Sequence, residues 1–154
     1  MELALDRRAF LGGGCAVVAS VGHATGASDD TNFLPLKSPV DIPLSGLVTM
    51  WEPILFKARF TKTDGNDSVV PGLALRTPSG ATAICTYCPH ELCVIKLDGE
   101  NLRCPCHFSL FDPLRDGAWI SGPALRRTYR FRYIVTVSEI VVTDIEADLE
   151  RRLM

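Results

Sequence analysis

The sequence has no surplus of positive charge. Its 16 basic and 18 acidic residues give a net charge of −2, which suits neither a nucleic acid nor an anionic membrane surface as partner. It also offers little to a membrane span: the apolar run from Leu11 to Gly22 has 12 residues, four of them glycine, against the roughly 20 a span requires. A membrane anchor is therefore the lesser reading of the N-terminus. No nucleophile with an acid–base partner stands out, so the chain alone does not read as an enzyme. At 154 residues there is room for a leader and one globular domain with its own core, but not for a second domain of ordinary size. Internal repeats and low-complexity stretches are absent.

What the sequence does have is concentrated. Four of its six cysteines, and two of its three histidines, lie in Cys88-Pro89-His90-Glu91-Leu92-Cys93 and Cys104-Pro105-Cys106-His107. Cysteine thiolates and histidine imidazoles spaced as Cys-x-His and Cys-x-x-His form a ligand set of two soft sulfurs and two nitrogens. That set admits a redox-silent structural zinc module as well as a redox metal centre. Two cysteines, Cys93 and Cys106, are left over in it. Cys85-Thr86-Tyr87-Cys88 also spells Cys-x-x-Cys, but a cysteine at a strand end is more often a small buried apolar residue.

The pattern Cys88-x-His90-x-x-Cys93, then Cys104-x-Cys106-His107-x-Ser109-x-x-Asp112, resembles the Rieske iron–sulfur family, and Gly122-Pro123-Ala124 is similar to that family's third loop. The resemblance implies a [2Fe-2S] cluster with Cys88 and Cys104 on one iron and His90 and His107 on the other. It also implies a Cys93–Cys106 disulfide joining the two loops, and Pro123 lying over the cluster. Histidine in place of thiolate raises the potential to roughly −150 to +300 mV from about −400 mV. Ser109 falls where the family's serine donates to a cluster sulfide, which raises the potential further. Phe111 falls where high-potential members have a tyrosine, and it cannot donate that bond. Two features depart from the pattern: only 13 residues separate His90 from Cys104, and position 108 is phenylalanine where glycine is usual.

His107-Phe108-Ser109-x-Phe111-Asp112-Pro113 is similar to the Rieske subunit of arsenite oxidase. That resemblance implies a periplasmic electron-transfer subunit. Its partners would be a large molybdenum-containing catalytic subunit and, as acceptor, a c-type cytochrome or copper protein. The alternative within electron transfer is the Rieske subunit of a quinol-oxidising cytochrome bc complex. An oxygenase would need a second iron site with two further histidines, and outside the N-terminal leader none remains.

The rest of the chain fits this frame. Asp6-Arg7-Arg8-Ala9-Phe10-Leu11 looks like a twin-arginine export signal, giving a leader over 1–27, with small residues near Ala27 for cleavage. Residues 28–41, punctuated by Pro35 and Pro39, read as an extended arm. Beyond them, 42–154 read as the Rieske domain: all-β, an antiparallel sandwich or barrel with a small cluster-binding lobe inserted at about 84–124. Strands are expected at 47–50, 54–60, 69–76 and 81–85, with a three-residue turn at Pro78-Ser79-Gly80. Asp98-Gly99 marks a tight hairpin between the ligand loops. Alternation from Arg126 to Val137 predicts one long half-buried strand. A last strand at 140–143 and a helical tail at 145–154 complete the expectation.

Overall fold

The computed structural model describes residues 32–154. The expected leader at 1–27 lies outside the described residues. Among the described residues ten strands form two antiparallel sheets, as the all-β reading requires. The larger sheet contains β1 (Phe33–Pro43), β2 (Ile54–Thr61), β3 (Asp67–Thr77), β4 (Gly80–Cys85), β9 (Phe131–Val135) and β10 (Glu139–Glu146), in the order β4-β3-β2-β1-β10-β9. A bridge between Ile84 and Arg130 brings the two outer strands together, so the sheet nearly closes on itself and leaves little open edge. Among the described residues no helix is long and apolar enough to cross a membrane.

The smaller sheet is the inserted lobe: β5 (Lys96–Asp98), β6 (Asn101–Arg103), β7 (Leu110–Asp112) and β8 (Ala118–Ser121), in chain order. It leaves the larger sheet after β4 and returns at β9. Asp98 pairs with Asn101, so the hairpin's two loop residues are Gly99 and Glu100, one position later than the Asp98-Gly99 expected. Gly99 has φ +61°, the glycine-first form of a two-residue connection.

β3 explains why the two sheets form one body. Its Gly72–Leu75 run is buried on both faces, which its nearly unbroken apolar sequence permits. Val70 and Ala74 face the main core with Phe60, Phe131 and Ile140. Leu73 and Leu75 face the other way, joining Ile84, Ile95, Leu102 and Phe111 under the lobe. At Gly72 an added Cβ would lie 2.4 Å from the Phe56 ring and 2.8 Å from the Phe131 ring. These rings pack against each other at 5.3 Å, and only glycine leaves them that space.

Several expectations shift. Of the arm expected at 28–41, residues 28–31 lie outside the described residues, and 33–41 make most of β1, which lies between β2 and β10 inside the sheet. Residues 47–50 form no strand: Leu44–Gly46 is a 3-10 turn, Met50 only bridges Arg76, and Leu47 fills the core. Pro78 and Ser79 alone connect β3 to β4, because Thr77 pairs with Gly80. The long strand expected at 126–137 is confined to Phe131–Val135: Arg130 only bridges Ile84, and the Thr128 amide donates to the Gly117 carbonyl at 3.0 Å. The tail is helical only as α1 (Asp148–Arg152), while Ile145 and Glu146 still belong to β10.

Candidate metal centre

Two loops of the same construction carry the expected ligands. In the first, the Cys88 amide donates to the Cys93 carbonyl at 2.9 Å, and the Cys88 carbonyl accepts from the Leu92 amide at 2.8 Å. In the second, the Cys104 amide donates to the Ser109 carbonyl at 2.9 Å, and the Cys104 carbonyl accepts from the Phe108 amide at 3.1 Å. Each loop thus closes a five-residue turn on its cysteine and reverses through a left-handed residue, Leu92 at φ +57° and Phe108 at φ +59°. Glycine suits that conformation best, which explains physically why glycine is usual at position 108. The disulfide between Cys93 and Cys106, with Cα atoms 6.5 Å apart, ties the two loops together.

The third loop locks the second. Gly122 has φ +91°, and a Cβ there would lie 2.5 Å from the Ser109 Cα. The Ser109 Oγ accepts from the Ala124 amide at 3.0 Å, and the Trp119 Nε1 donates to the Gly122 carbonyl at 3.0 Å. Ser109 is fully buried. Since its oxygen accepts the Ala124 bond, its own hydrogen is free to be donated. Asp112 completes the turn after β7: its carboxylate accepts from the Leu114 amide at 2.9 Å and from Arg115 Nε at 2.7 Å.

Chemically the site has two sides. Cys88 and Cys104 are buried free thiols in the lobe core. Burial pushes the Cys88 thiol up to about 11, and the neighbouring Cys104 thiol adds to the rise, whereas the His90 and Glu91 amides oppose it by donating to the sulfur. A bound cation would tip that sulfur to thiolate, and the two amides already favour the anion. His90 and His107 stand on the outer side, with rings 4.7 Å apart at 89° and Nδ1 atoms 3.2 Å from each other. Two nitrogens bound to one tetrahedral metal at about 2.05 Å would lie about 3.3 Å apart, so this spacing fits a shared metal. Cys93 and Cys106 also lie within 4.8 Å of the Cys104 sulfur, but their bond to each other removes them as thiolate donors.

Phe111 is fully buried in the lobe core, opposite Leu102 on β6. Pro123 is exposed on the third loop. Cys85 lies in the main core, where burial pushes its thiol to about 12; it behaves as a small apolar residue and not as half of a Cys-x-x-Cys site. Three neighbours escaped the sequence reading. Glu91 brings a carboxylate oxygen within 3.9 Å of His107 Nδ1. Leu125 is a further left-handed residue, at φ +56°. Arg152 reaches the first loop from the C-terminal helix. The first two sit inside or beside the ligand motifs and could have been suspected there; no local signal marks the third.

Buried thiols on one side and paired imidazoles on the other, carried by disulfide-linked loops on an all-β base, form the mixed sulfur and nitrogen donor set of a metal centre. The family model for the Rieske [2Fe-2S] domain matches residues 59–138, and the chain belongs to that family. It is an electron-transfer protein and binds a [2Fe-2S] cluster. Among solved structures it is similar to the cyanobacterial plasma membrane Rieske protein PetC3 from Synechocystis PCC 6803. The identity is 23% over 56% of this chain and 84% of that one, with a TM-score of 0.39. No curated protein sequence matches the chain.

Proposed function

We propose that Cys88 and Cys104 hold one iron of the cluster and His90 and His107 the other, in the electron-transfer small subunit of a periplasmic oxidoreductase. The bound cluster supplies one-electron storage at a potential above that of all-cysteine clusters. Cys88 and Cys104 keep the inner side dry within the lobe core. His90 and His107 place ring edges at the surface, where a partner's cofactor can approach. Ser109, held by the Ala124 amide, donates its free hydrogen inwards. Phe111 gives no such bond, so the potential lies below that of members with both donors.

The observation that carries this reading is the convergence of His90 and His107 at the exposed end of two disulfide-linked loops. The finer identity rests on the resemblance of residues 107–113 to the arsenite oxidase Rieske subunit. It makes the electron donor a molybdenum-containing catalytic subunit and the acceptor a c-type cytochrome or copper protein. Phe108, 64% exposed beside His107, supports the reading as an apolar contact for a protein partner. The export signal read at 1–27 supports the periplasm.

The test begins with EPR of the dithionite-reduced protein and determination of its iron and zinc. A rhombic signal with about two irons per chain supports the ligand assignment, whereas silence with stoichiometric zinc defeats it. The native protein is then fractionated from its source. Co-elution with molybdenum in the periplasmic fraction supports the partner. Recovery in membranes with b-type haem would replace it by the quinol-oxidising alternative.

A further inference from the structure

The first ligand loop is held from outside the lobe. Arg152 Nη2 donates to the His90 carbonyl oxygen at 2.5 Å, across 62 positions of sequence. A five-residue helix such as α1 has no stability of its own, so its position must be imposed by contacts. Leu149 is fully buried in the main core. The largely buried Glu150 accepts from the Thr63 amide, and the Ala147 amide donates to the Asn32 carbonyl at 2.8 Å. Asp148 takes the Asn32 side chain at 3.1 Å and Arg126, two residues after the third loop, at 3.6 Å. The guanidinium of Arg152 is therefore presented to the first loop by the base domain.

We infer that Arg152 is a positioning residue for His90 that also raises the potential of the centre. This rests on the assignment of His90 as a ligand. A backbone carbonyl held by a guanidinium fixes the backbone of His90, and with it the Cα from which the imidazole branches outwards. Arginine remains charged at every working pH, and a fixed positive charge favours the reduced form, which carries one more negative charge. The hydrogen bond and the charge act in the same direction.

The experiment compares the wild type with Arg152→Lys, Arg152→Gln and Arg152→Ala, each as full chain. Redox titration of the loaded proteins should show Arg152→Gln shifted towards the oxidised form roughly three- to tenfold, which is about 30–60 mV for one electron. Arg152→Lys should keep most of the wild-type value, and added salt should narrow the differences. In the metal-free proteins, hydrogen exchange at the Leu92 amide should quicken in Arg152→Ala, while the Phe108 amide of the twin loop stays as it was. Equal exchange at Leu92 in Arg152→Ala and the wild type overturns the inference, as does an unchanged potential in Arg152→Gln. A wild-type protein that shows no redox wave and no EPR signal defeats the metal-centre assignment instead.

Discussion

Replacing Gly122 by alanine should unlock the second ligand loop, and the cost can be worked from the geometry. At φ +91° an L-residue is strained by about 1–2 kcal/mol. The new methyl would lie 2.5 Å from the Ser109 Cα and 3.0 Å from its amide nitrogen. Backbone there cannot yield as a flexible side chain does, so crowding adds about 1–3 kcal/mol. The lower freedom of alanine in the unfolded chain offsets about 0.4–1 kcal/mol. The net loss is about 1–5 kcal/mol, centred near 3, or roughly 4–20 °C in melting temperature for a domain of this size. Thermal unfolding of the metal-free protein followed by circular dichroism measures it. Gly99→Ala is the control, because φ is +61° there and nothing lies within 4 Å of the added methyl; it should carry the strain less the offset alone, about 0–1.5 kcal/mol. Removing the Ser109 hydroxyl should not rescue Gly122→Ala, since the closest clash is with backbone. Equal melting of the Gly122 and Gly99 variants would refute the reasoning.

Reducing the Cys93–Cys106 bond, which closes a loop of sequence separation 13, should lower stability by about 3 kcal/mol, read as a shift in the urea midpoint with and without reductant. Ser109→Ala should leave the cluster bound but lower its potential in voltammetry, and should destabilise the protein by about 1–3 kcal/mol because the Ala124 amide loses its partner. Cys85 has its thiol raised from 9.0 to about 12, burial being the first cause. The folded state therefore holds a proton that the unfolded chain releases above pH 9, so stability should be full below pH 9 and fall as pH rises towards 12. The fall, followed by urea titration, should be shallower in Cys85→Ala.

The two loops of the candidate site were legible because their chemistry is local: cysteines and histidines at short spacing, a serine and an aspartate in register, and a glycine-containing hairpin between the loops. The inserted lobe could be read for the same reason, since its strands are consecutive neighbours. β1 was harder, because Pro35 and Pro39 argue against a strand inside a sheet. The structure accommodates them with a register shift between Pro35 and Val40 against β10, an irregularity that sequence spacing does not announce. Leu47 to Met50 misled in the opposite direction. Its apolar residues suggested a strand, but Leu47 serves as a core plug after a 3-10 turn. Arg152 could not be foreseen at all, because its contact with His90 depends on where the last strand delivers α1.

The two-faced β3 sets a limit for anyone wishing to transplant this redox centre into another scaffold. The inserted segment looks self-contained, with its own four-stranded sheet and its own disulfide. Its floor, however, is Leu73, Leu75 and Ile84, which belong to β3 and β4. Grafted without that hairpin, the segment would present the sulfurs of Cys88 and Cys104 to water from beneath, and the buried side of the site would be gone. The smallest transferable unit therefore begins at β3, and a designer who moves the loops must move the hairpin under them as well.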